Sequence, residues 1–132
     1  MITWQVIRDS SVTDSGVPEV TLQLIEDLII EAGQLWSRYL DAARNITLTV
    51  NFGFIDEDNS TLAQAGSSFV QRGVTADGDP RFVIATAVEV ATGFDPLSSP
   101  DIELELNLNN LNDLYLDPDI STDADIPANL SD

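Results

Sequence analysis

Asp101 to Asp125, DIELELNLNNLNDLYLDPDISTDAD, is the stretch from which the rest of this chain is best read. Ile102, Leu104, Leu106 and Leu108 alternate with Glu103, Glu105, Asn107 and Asn109, and a period of two turns one face to a core and the other to water. A half-buried strand over 101–108 is expected. Beyond it Asp113, Asp117, Asp119, Asp123 and Asp125 crowd a segment that also holds Pro118 and Pro127. Proline cannot extend a ladder through its interior, so the strand should run out into an acidic loop and tail over 109–132.

Working outward, Ile2, Trp4 and Val6 alternate with Thr3 and Gln5 and predict a first strand over 1–8. The segment Asp9 to Gly16, DSSVTDSG, reads as a turn-rich connection, with Asp14 or Ser15 placed to cap a following helix and Pro18 suited to its first turn. Over 18–40, Ile25, Leu28, Ile29, Ala32, Leu35, Trp36, Tyr39 and Leu40 recur at three- and four-residue spacing, the stripe of a long amphipathic helix. NITLTVNFGF, over 45–54, alternates cleanly and predicts a strand. A weaker strand is expected over 62–70, where Gly66 and the serines dilute the pattern. FVIATAVEV, 82–90, is apolar at both sets of alternate positions, which suits a central strand, although Ala85-Thr86-Ala87 also suits a helix. Trp4 and Trp36 fall on apolar faces and are expected in the core. Several one-faced strands and one long helix imply an α/β (α+β) fold, a mixed sheet of four to five strands with the helix on one face.

At 132 residues the chain is read as a single domain, 1–132, able to bury a core without staples. It has no cysteine and no histidine, which removes thiolate chemistry, the usual neutral-pH general base and the main ligands of zinc. No zinc is expected on this chain alone, and no catalytic residues can be assigned. The formal charge of −18 comes from 23 acidic residues against five arginines and no lysine. Phosphate backbones and anionic membranes would be repelled, so neither nucleic acid nor membrane is expected as a partner. The start MITWQVIRDS lacks the basic flank and apolar stretch of a signal peptide.

Cations are the natural counter-species of such a surface. Calcium takes roughly six to eight oxygens from carboxylates and carbonyls, and Asp113, Asp117, Asp119, Asp123 and Asp125 are the candidate ligands. Their spacing lacks the start and the twelfth-position glutamate of an EF-hand loop, and a solvated acidic loop is the competing account. Asp56, Glu57, Asp58, Asp77 and Asp79 read as turn residues. Glu103 and Glu105 share a strand face about 7 Å apart, a separation near that of glycosidase carboxylates, but a polar outer face accounts for them better.

From Ala91 to Asp119 the chain resembles the segment that precedes the zinc helix in secreted bacterial metalloproteases related to the metzincins, of serralysin-like and exosortase-sorted kinds. The resemblance rests on Asp101, Ile102, Glu103, Leu106 and Asn107, then Asp117-Pro118-Asp119, then Pro127, Ala128, Asn129 and Asp132. The long helix with its late Trp36, NITLTVNFGF and LAQAGSS follow the same order as that family's N-terminal subdomain. It implies a metzincin-like fold and a secreted, extracellular setting. The His-Glu-x-x-His helix, in which two imidazoles on one face hold zinc, has no counterpart in these residues. The expectation is therefore a non-catalytic module that acts by binding or by self-assembly, in the limit as a filament, through an open strand edge. Its partner is protein: a second copy, or the missing C-terminal half of a zinc endopeptidase of which this chain is the N-terminal piece. A free-standing calcium-binding module is the further alternative.

Overall fold

The structure, a computed structural model, describes residues 1–114, 116 and 117. Its elements are β1 (Ile2–Arg8), α1 (Ser10–Thr13), α2 (Glu19–Ser37), β2 (Ile46–Ile55), β3 (Ala63–Gly66), β4 (Phe69–Val74), β5 (Pro80–Ile84), α3 (Ala85–Thr92), β6 (Ile102–Asn107) and a 3-10 helix, Leu108–Asp113. Four strands form a mixed sheet in the order β1-β2-β6-β3, with β1, β2 and β6 parallel and β3 antiparallel at the edge. Strands β4 and β5 form a separate antiparallel hairpin. The chain is thus a mixed α/β protein, as its patterning predicts.

Register explains the core. Val6 pairs with Val50 and Val50 with Ile102, while Phe52 pairs with Leu104 and Phe54 with Leu106, so the apolar alternation of three strands falls on one face. Phe52 and Leu48 are fully buried, and Phe54 stands edge-on to Phe52 with ring centres 5.2 Å apart. Helix α2 lies over the β1 side of this face. Leu22 and Ile25 enter the core, the Trp4 indole sits directly against Gly33, and Trp4 Nε1 donates to Ser37 Oγ at 2.8 Å. A side chain at position 33 would collide with that ring. Arg8 closes the other end, paired with Glu26 at 2.5 Å and Glu19 at 2.8 Å. The opposite face is polar: Glu103 accepts from Asn51 Nδ2 at 2.7 Å and Glu105 from Gln64 Nε2 at 2.6 Å.

Several sequence expectations are corrected. The run 82–90 is no central strand: β5 ends at Ile84 and α3 begins at Ala85. Alanines favour the helix, and the chain's apolarity on both strand faces was the signature of a helix packed against the sheet end. The stretch 62–70 is two strands, β3 and β4, belonging to different sheets and broken at Ser67 and Ser68. The long helix is shorter at each end than 18–40, and neither Asp14 nor Ser15 caps it. Pro18 occupies the cap position, while Asp9 caps the short α1 by accepting from Ser11 N at 2.7 Å. Trp36 is 64% exposed rather than core, and Trp4 is half-buried. The cause is geometric: the apolar stripe of α2 is wider than the part of the sheet that α2 covers.

Candidate functional site

Two features remain after the fold is accounted for. The first is an apolar groove. Helix α2 roofs β1 and β2 and reaches Leu106 near the end of β6 through Leu22 and Ile25, but among the described residues Ile102 and Leu104 of β6 are only partly covered and β3 is exposed, and between them runs an open groove of about 510 Å³. Trp4, Ile29, Ala32 and Trp36 form one wall, Ile102 and Leu104 the floor, and Leu114 and Leu116 one end. Trp36 and Leu35, both exposed, extend the apolar surface beyond its rim. Strand β3, exposed along its length, borders the floor as the sheet edge.

The second is a carboxylate cluster. Glu89, Asp95 and Asp101 each bring a carboxylate oxygen within 4.8 Å of the others, the one such group of three among the described residues. Local structure places each. Glu89 lies in α3, on the same side as buried Ala85. Gly93 ends that helix at φ 68° with its N–H donating to Glu89 O at 2.7 Å, and a Cβ there would stand 2.7 Å from Arg44. That left-handed residue turns the chain so that Asp95 comes back toward Glu89. Asp101 is held at the entry to β6: its Oδ2 accepts from Thr49 N at 2.7 Å and Thr49 Oγ1 at 3.0 Å, and its own carbonyl accepts from Thr86 Oγ1 at 2.7 Å.

Glu89 and Asp101 are buried, Asp95 exposed. Burial first, then a hydrogen bond with Asp101 and the charges of Asp101 and Asp95, push the Glu89 carboxyl up to about 7. That hydrogen bond exists only while a proton is shared; with both groups ionised, Glu89 Oε2 has no donor. The three carboxylates can therefore hold a metal ion or a proton. The oxygen-only donor set does not fit a zinc centre.

Of the sequence candidates, Asp113 ends the 3-10 helix in an exposed position and Asp117 is partly buried. Neither joins the cluster, and Asp119, Asp123 and Asp125 lie outside the described residues. Glu89 carried a signal in the sequence: it is the one charged residue between Phe82 and Gly93. No family model matches the chain, and neither a curated protein nor a solved structure matches it.

Proposed function

We propose that this chain is a non-catalytic, metzincin-like module, secreted and calcium-stabilised, that acts by binding an amphipathic helix of another polypeptide in the groove between α2 and β6. The groove carries the reading. An apolar wall and floor left open beside a finished core is surface that a helix of matching period would take out of water, at about 25 cal/mol per Å². The exposed β3 edge offers a second contact, a strand added in register, and with it self-assembly. A second reading shares the same groove. Beside α2 is where the resemblance expects the zinc-bearing helix, so the helix would complete a zinc endopeptidase of which this chain forms the N-terminal part. Its imidazoles would have to come with that helix, since the chain has none.

Tryptophan fluorescence tests both readings, because Trp4 and Trp36 line the groove. An amphipathic peptide carrying a His-Glu-x-x-His helix should shift the emission to the blue, and Leu104→Glu should abolish the shift. Proteolysis of casein by the mixture supports the endopeptidase reading; binding without cleavage supports the non-catalytic one. A monomer by light scattering at micromolar concentration, with no peptide binding, overturns both.

A further inference from the structure

We infer that Glu89, Asp95 and Asp101 form a calcium site that fastens the turn between α3 and β6 to the sheet. It deepens the reading of the module as calcium-stabilised, and rests on it, by moving the ion from the acidic tail to a built position. Two of the three carboxylates are at least nine-tenths buried, at 5% and 7% exposure. Glu89 Oε2 is buried with no hydrogen-bond partner, on a carboxylate that brings an oxygen within 4.8 Å of those of Asp95 and Asp101. A buried carboxylate without donor or counter-charge is costly, and among the described residues both salt bridges belong to Arg8, none to the cluster. Asp101 is pre-oriented by Thr49, which belongs to β2, and Asp95 stands on a turn set by Gly93 and closed by the Leu97 N–H, which donates to Asp95 Oδ1 at 2.8 Å.

The chemistry selects the ion. Three hard oxygen donors with one open, solvent-facing side leave room for water in a shell of roughly six to eight oxygens, which suits calcium better than magnesium with its rigid octahedron. Three negative charges against a divalent cation leave one in excess, which the exposed Asp95 keeps in water. An ion bound there would join α3, the 93–101 turn and, through Asp101, strand β2, adding to the hydrogen bonds that Asp101 already makes with Thr49 and Thr86.

The test is calorimetric titration and thermal melting of the full chain, first stripped with EDTA, at neutral pH. Calcium chloride should bind one ion per chain and raise Tm by roughly 5–10 °C at saturating concentration. Sodium chloride at matched ionic strength should not. Glu89→Gln should weaken binding by roughly tenfold or more and remove the Tm rise, while Asp113→Asn with Asp117→Asn should change neither. If calcium raises Tm equally in Glu89→Gln, the module is calcium-stabilised but this site is wrong. If wild type shows no calcium step and Glu89→Gln simply melts higher, the pair shares a proton, and both the site and the calcium reading fall. Equal shifts with sodium and calcium would mean charge screening only, with the same consequence.

Discussion

One face of one sheet is finished on its β1 side and, among the described residues, only partly covered on its β6 side, where Leu106 joins the core but Ile102 and Leu104 do not. Under α1 and α2, Phe52 has no exposure, packed with Val12, Leu22 and Ile25, and Trp4 stacks on Gly33. One strand further on, Ile102 and Leu104, which continue the same apolar rows in register, are only partly buried. The two halves have similar composition, so the difference is not one of hydrophobicity. It is one of cover: a helix about 10 Å wide spans about two strands spaced about 4.8 Å apart, and the sheet has four. The bare half is the place where a second helix would add to the fold, and Asp101 is the hinge point between halves, since it leads into β6 while bonding Thr49 of β2.

The contrast is easiest to break with paired truncations. Phe52→Ala should cost about 3–5 kcal/mol in chemical denaturation, whereas Leu104→Ala should cost about 1 kcal/mol or less because its side chain already meets water. Equal losses would mean that the β6 half is packed after all. The junction can be titrated. The Glu89 carboxyl is raised in the fold from 4.5 to about 7, so its protonated form favours the native state. In EDTA, the Glu89 contribution to stability should be full below about pH 4.5, fade as pH rises toward 7, and be gone above it, a total of up to about 3 kcal/mol. Glu89→Gln should flatten that slope in a melting series, and an unchanged slope would locate its source elsewhere. On the roofed side, Gly33→Ala pushes a methyl into the Trp4 ring and should cost about 1–3 kcal/mol with a shift in tryptophan emission. A neutral result there would show that α2 rides loosely. Trp36→Ala should change stability by only about 0.5 kcal/mol or less while removing helix-peptide binding; retained binding would separate the groove from its exposed rim.

Much of this arrangement was legible from local pattern. The alternations around Val50 and Leu104, the polar partners Glu103 and Glu105, and the helix over Ile25 and Ile29 each follow from a period that a single segment carries within itself. The α3 segment was not, because FVIATAVEV is apolar enough for either period and its choice was made by Gly93, Arg44 and the sheet end it meets. The cluster was not either. Glu89, Asp95 and Asp101 recur at equal intervals of six residues, a spacing that belongs to no regular element, and a helix end, a left-handed turn and a strand start were all needed to bring them together.

By itself the sequence determined the chemistry available to this protein, because absent side chains cannot be supplied by folding: the main ligands of zinc, histidine and cysteine, are missing, and with 23 carboxylates there is a strong demand for cations. It also determined which residues face inward on each strand, since the pleat makes that a matter of parity. Tertiary structure alone decided which inward-facing residues found cover and which carboxylates met. Those outcomes depend on where one helix comes to rest across a sheet wider than itself, a distance that no single segment encodes.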